Sequence, residues 1–202
     1  MVPNCLVLSL AVAAIVSAVP WSPALGQWAL RAELGAARFW GGSVENGGQH
    51  RSFRPHRPTV FLVGVERRAG KLAVGIGLGY STAGLALEGA EGLTAINGIF
   101  TVYSVSPELV YQIASFGSEN RLRLHAGPVL EVWTVVNGGS ETRAGGQAAL
   151  SLTVPLGTKL EGSMTAGAAL IPSPFARGQL DTGFERQALW RRRLAVGLAY
   201  RL

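Results

Sequence analysis

Three histidines, His50, His56 and His125, are the side chains best suited to acid–base work near neutral pH. A nucleophilic mechanism would need one of them within reach of a serine and of an orienting carboxylate. The single aspartate, Asp181, stands far from all three along the chain. His125 is followed by Ala126-Gly127-Pro128 and has no nearby serine on its own face of the segment. His50 and His56 lie with Glu45 in a glycine-rich stretch that does not fix ligand geometry, so no metal site is expected. Gly75-Ile76-Gly77-Leu78-Gly79 has the glycines of a phosphate loop. They alternate with large residues and no helix follows, so neither phosphate-loop pattern fits. These patterns predict no catalytic residue, no cofactor and no metal.

The remaining chemistry is electrostatic. His50-Arg51-Ser52-Phe53-Arg54-Pro55-His56-Arg57 is a basic cluster, and Arg191 and Arg192 stand beside Trp190. Arginine forks suit bidentate contact with phosphate. What these groups meet depends on the elements that carry them.

Those elements are read from composition and period. The 202 residues are 48% hydrophobic and 15% charged, with a net charge of +6. Mean hydropathy is +0.27. Glycine accounts for 27 residues, about twice its usual share. A disordered chain would be richer in charge and poorer in apolar residues. A helical bundle would carry little glycine. The run Cys5–Val19 is apolar but shorter than the about 20 residues a membrane helix needs, and Pro20 and Pro23 end it. With Ala24 and Gly26 after it, residues 1–26 read as a signal peptide cleaved after Gly26, or alternatively after Ala18. Cleavage after either residue removes Cys5 and leaves no cysteine, which suits an oxidising compartment.

Residues 27–202 hold their hydrophobicity in alternation. Leu194, Val196, Leu198, Tyr200 and Leu202 share one face, with Ala195, Gly197, Ala199 and Arg201 on the other. Period 2 is a strand with one apolar face. The same pattern predicts strands over 28–40, 58–67, 71–85, 99–113, 121–135, 144–156, 159–171 and 187–202, although Val60 and Leu62 blur the second. Short turns are predicted at 68–70, 114–120 and 157–158. Longer loops are predicted at 41–57, 86–98, 136–143 and 172–186. Short turns on one side and long loops on the other suit a transmembrane barrel. In a soluble barrel the large apolar residues face inward and charge faces out. Here the second face is mostly Gly, Ala, Ser and Thr, which suits a narrow lumen with the large residues facing lipid.

Aromatic placement agrees. Trp28, Tyr111 and Tyr200 share the large-residue parity at the short-turn end. Trp40, Phe61, Tyr80, Tyr103 and Trp190 share it near the other end. Trp28 and Trp40 are twelve residues apart. At about 3.3 Å per residue and a tilt near 45° that is roughly 28 Å, close to the apolar band of an outer-membrane barrel.

On these features residues 27–202 resemble the small eight-stranded outer-membrane β-barrels, the OmpA/OmpX-like superfamily. The resemblance implies an all-β, eight-stranded, antiparallel up-and-down transmembrane barrel in the cell outer membrane of a Gram-negative-type bacterium. It implies a monomer in contact with outer-membrane lipid and lipopolysaccharide. The apolar alternation through Leu202 resembles the signal read by the barrel-assembly machinery. Arg51, Arg54, Arg57, Arg191 and Arg192 are then expected at the outer rim, where lipopolysaccharide phosphates lie, and an exported chain is not expected to meet nucleic acid. The role implied is structural or surface-interactive, through the four long loops. A lipid A-modifying enzyme and a narrow gated channel are the alternatives.

The inward parity collects Arg31, Glu33, Glu66, Lys71, Glu108, Arg123, His125, Glu131, Glu161 and Arg193. Unpaired charges in a narrow lumen are costly. Hairpin register predicts Glu108 opposite Arg123 and His125, and Glu66 opposite Lys71. Such pairs would plug the barrel.

Overall fold

A computed structural model describes residues 27–40, 43–45, 52–89, 92–117, 119–136, 139–173, 184–186 and 188–202. The predicted signal peptide lies outside the described residues. The strands, in chain order, are β1 (Gln27–Trp40), β2 (Ser43–Glu45), β3 (Ser52–Ala69), β4 (Leu72–Gly89), β5 (Gly92–Phe116), β6 (Asn120–Val135), β7 (Ser140–Pro155), β8 (Leu160–Ile171), β9 (Phe184–Arg186) and β10 (Leu189–Arg201).

The eight long strands, β1, β3 to β8 and β10, pair antiparallel with their neighbours in the chain. β1 also pairs with β10, which closes the sheet on itself. Closure leaves no long strand with an unpaired edge. β2 pairs with β9 and with the first residues of β3, as a small extension beside the rim.

The predicted loop boundaries change. The stretch 86–98 is mostly strand: β4 runs on to Gly89 and β5 begins at Gly92. The register slips between Ala83 and Leu85, opposite Gly98, whose φ is 71°. A side chain is disfavoured at that φ, so Gly98 marks a bulge inside β5 rather than the tip of a turn. The stretch 41–57 likewise contains β2 and the start of β3. β3 has its own register shift between His56 and Thr59. Beyond it the even residues face inward without interruption, so Val60, Leu62 and Glu66 are buried while Phe61 and Val63 face out. The alternation is blurred there because Val60 and Leu62 put large apolar side chains on the inward face as well.

Burial follows period 2. Along β10, Ala195 and Ala199 are buried while Val196 and Leu198 are 61% and 50% exposed. Leu30, Leu34, Leu78, Leu109, Leu150 and Met164 are similarly exposed on the outer wall. Inside, small residues let the walls approach. A Cβ at Gly197 would meet the Ala32 carbonyl and lie 2.7 Å from Glu33 Cγ. The larger apolar cluster lies at the long-loop end, where Phe39, Ala83, Phe100, Val102, Trp133 and Leu189 pack together. Trp133 meets Phe39 and Phe100 edge-on, with centroids 5.7 and 5.9 Å apart.

Gly197→Val is expected to lower stability by about 1–3 kcal/mol through overpacking. Urea unfolding of the refolded barrel measures this, and an unchanged midpoint would contradict the packing described.

Candidate functional site

Most of the inward-facing charges meet across the lumen, and the others within a strand or between neighbouring strands. At the short-turn end Glu161 of β8 is 0% exposed and is held by Arg68, Arg121 and Arg201. Arg68 Nη2 lies 3.2 Å and Arg201 Nε 2.9 Å from its carboxylate. Glu66 accepts from Arg68 Nε at 2.6 Å and from Arg123 Nη2 at 2.8 Å. At mid-barrel Glu108 accepts from Arg31 Nη2 at 2.8 Å and from Gln147 Nε2 at 3.1 Å. Glu33 accepts from Thr165 Oγ1 at 3.1 Å. Towards the long loops Glu131 accepts from Arg191 and from Trp133 Nε1, the latter at 2.9 Å. The apolar cluster around Trp133 lies next to this pair.

Both predicted hairpin pairings change. Gly70 (φ 63°) and Lys71 form the two-residue turn between β3 and β4, since Ala69 pairs with Leu72. That places Lys71 outside, exposed, and Glu66 opposite Gly75. The β5–β6 turn falls at 117–119, with a bulge between Gln112 and Ala114. Arg123 therefore sits opposite Gln112 and turns to Glu66, not Glu108. His125 does reach Glu108, with Nδ1 3.2 Å from Oε2.

His125 also has the serine that the sequence did not reveal. Its Nε2 is 2.8 Å from Ser151 Oγ, from the adjacent strand β7. Ser151, His125 and Glu108 thus have the spacing of a nucleophilic triad. Arg31 Nη1 approaches the same His125 Nδ1, at 3.1 Å. Arginine only donates and a carboxylate only accepts, so the Arg31 and Glu108 contacts call for opposite tautomers of His125. One feature opposes nucleophilic chemistry: Ser151 is only 3% exposed. A small cavity of ≈ 10 Å³, room for about one water, lies apart from these three residues, lined by Gln147, Ala169, Arg191 and Arg193. Among the described residues no group of three or more His, Cys, Asp or Glu could hold a metal.

The predicted outer-rim residues divide. Arg191 is buried on Glu131, so it is not available to lipopolysaccharide. Its odd parity, shared with Arg193, was the signal for this; the same parity shared with Arg123 marks Arg121 as inward. Arg192 faces out, its guanidinium carbon 4.6 Å from the Trp40 ring centroid, and Arg38 covers the same ring at 5.3 Å. Arg38 and Arg192 are cross-strand partners, as are Trp40 and Trp190. Arg51 lies outside the described residues, as do the side chains of Arg54 and Arg57. Trp28, Tyr111 and Tyr200 are exposed at the short-turn end; Phe61, Tyr80, Tyr103 and Trp190 are exposed at the other. Tyr80 and Tyr103 pair across strands with ring centroids 5.4 Å apart.

Glu131→Ala leaves the Arg191 charge and the Trp133 N–H buried without an acceptor. A loss of about 3–5 kcal/mol is expected. Glu141→Ala, which breaks a more exposed pair with Arg143 at 2.9 Å, is expected to cost no more than about 1 kcal/mol. Equal losses in urea unfolding would contradict the distinction.

No protein-family model matches the chain, and no curated protein matches it in sequence. Solved structures match in fold. The crystal structure of Neisserial surface protein A aligns with a TM-score of 0.56 at 12% identity, over 86% of this chain and 96% of that one. The outer membrane protein OprG from Pseudomonas aeruginosa aligns with a TM-score of 0.59 at 11% identity, over 88% and 96%. A major outer membrane protein from Thermus thermophilus aligns with a TM-score of 0.50 at 14% identity, over 87% and 99%. With its closed ring of eight antiparallel strands, apolar exterior and charge-lined interior, this chain has the fold of the small eight-stranded outer-membrane β-barrels.

Proposed function

We propose that this chain is an integral outer-membrane protein with a structural and surface-interaction role and no enzymatic activity. Export behind residues 1–26, insertion by the barrel-assembly machinery and a monomeric state belong to the same reading. The observation that carries it is the inversion of side chains: leucine, valine, methionine and aromatic rings on the outer wall, paired charges within. An apolar wall of that extent in water is a large uncovered patch. In a bilayer it is the lipid contact, and closed strands satisfy every backbone group. Two of the fold neighbours are themselves named as outer membrane proteins and a third as a surface protein. The contact of Ser151 with His125 favours a second reading, a hydrolase. The burial of Ser151 and His125 weighs against it.

A lumen filled by ion pairs and capped by Trp133, Phe39 and Leu189 supports a barrel without steady conductance. Interaction is then left to the outer wall and the long loops. Lipopolysaccharide contact is assigned to Arg38 and Arg192 on Trp40, together with Arg51, Arg54 and Arg57 in the basic stretch beyond. Arg38 and Arg192 repel each other directly across two strands. A phosphate between them relieves that repulsion and gives each guanidinium an acceptor.

Reconstituted in planar bilayers, the protein is expected to show no discrete channel of porin size. Regular single-channel steps would contradict the sealed-lumen reading. Arg38→Gln with Arg192→Gln is expected to weaken lipopolysaccharide binding by about tenfold or more and to flatten its salt dependence. Unchanged binding would refute the assignment.

A further inference from the structure

The opposite rim carries a second pattern of cations and rings, on the outer wall at the short-turn end. We propose that this rim holds the headgroup of an anionic phospholipid in a cradle across β3, β1, β10 and β8. The proposal rests on the membrane reading above and adds a partner of defined chemistry at the other leaflet.

Four side chains lie in order over four neighbouring strands. Arg67 of β3 is the cross-strand partner of Trp28 in β1, with its guanidinium carbon 5.8 Å from the indole centroid. Tyr200 of β10 stands opposite Leu30 of β1 on one side and Leu160 of β8 on the other. Lys159, just before β8, places Nζ 5.8 Å from the Tyr200 ring. The backbone beneath is pinned: Leu202 N donates to Trp28 O at 2.9 Å and Arg201 N to Lys159 O at 2.8 Å. The sequence Arg67, Trp28, Tyr200, Lys159 therefore spans three inter-strand gaps, about 14 Å.

Charge and shape fit a phospholipid. Among the described residues neither Arg67 nor Lys159 has an ion-pair partner, so both keep donors for a phosphate. Stacking on a ring orients each cation without using those donors. Glu119, the acidic residue of the turns at this end, belongs to the β5–β6 turn on another part of the ring. Behind the wall, Arg68, Arg121, Arg123 and Arg201 face only Glu66 and Glu161, so the field at this mouth is positive. Leu30, Leu160 and Leu198 are exposed on the wall nearby, where acyl chains would lie. Rings at the headgroup level with leucines beside them form an amphipathic surface that free phosphate would not require.

The test uses the folded protein in nanodiscs of phosphatidylethanolamine with a minor fraction of phosphatidylglycerol. Native mass spectrometry reads which lipid stays bound on release. The wild type is expected to retain phosphatidylglycerol preferentially. Arg67→Gln with Lys159→Gln is expected to lose about thirtyfold in that preference, the loss expected for two basic side chains at a charged membrane surface. Arg38→Gln with Arg192→Gln, at the far rim, is expected to keep it. Absence of preference in the wild type would overturn the proposal. So would preference that survives in the Arg67/Lys159 variant, or preference abolished by inorganic phosphate. A protein that does not enter the nanodisc, or whose gel mobility does not shift on heating, would overturn the membrane reading instead.

Discussion

A closed ring of eight strands has a lumen into which side chains point, and here many of the inward side chains are charged. Four of the buried glutamates are each held by at least one arginine from another strand. Glu161 of β8 takes Arg68 from β3, Arg121 from β6 and Arg201 from β10. Glu66 of β3 takes Arg123 from β6, Glu108 of β5 takes Arg31 from β1, and Glu131 of β6 takes Arg191 from β10. Apart from Arg201 on Glu161, which joins adjacent strands, these contacts run across the lumen, so they tie together walls that the hydrogen-bonded ladder joins only around the circumference. A slip of one residue in a strand that carries one of these charges would turn the charge outward and leave its partner buried alone. The ion pairs are therefore better described as fixing register than as a source of net stability.

Parity is legible in the sequence because it is local. The strands, the outward aromatic girdles and most inward charges follow from period 2 within single segments. Register is not legible, because it depends on where each turn closes and where a bulge inserts a residue. Period 2 alone points Lys71 inward, yet Gly70 and Lys71 are themselves the turn. Ser151 does not show as a neighbour of His125 in the sequence because β6 and β7 align only in three dimensions. The strand extensions at Ser52, Gly89 and Gly92 resemble loop because glycine and polar residues stand close around them in the sequence.

The interior and the exterior use their polar groups differently. Inside, the buried Ser–His–Glu contact pairs polar groups with one another. The exterior differs: its cations rest on rings at both rims, Arg38 and Arg192 on Trp40 at one end, Arg67 on Trp28 and Lys159 on Tyr200 at the other. All four contacts flank the seam where β1 meets β10. The net charge of +6 is thus spread over the lumen and both rims rather than gathered at one.

The central claim is that the large residues of each strand face lipid while the small and charged ones face a closed lumen. Single cysteines introduced in turn from Leu194 to Ala199, spin-labelled in liposomes, test it most directly. Collision with oxygen, which concentrates in lipid, is expected to be high at 194, 196 and 198 and low at 195, 197 and 199. A water-soluble relaxing agent is expected to reach neither set. Access of that agent to 194, 196 and 198, or oxygen collision without a period of two, would contradict the account.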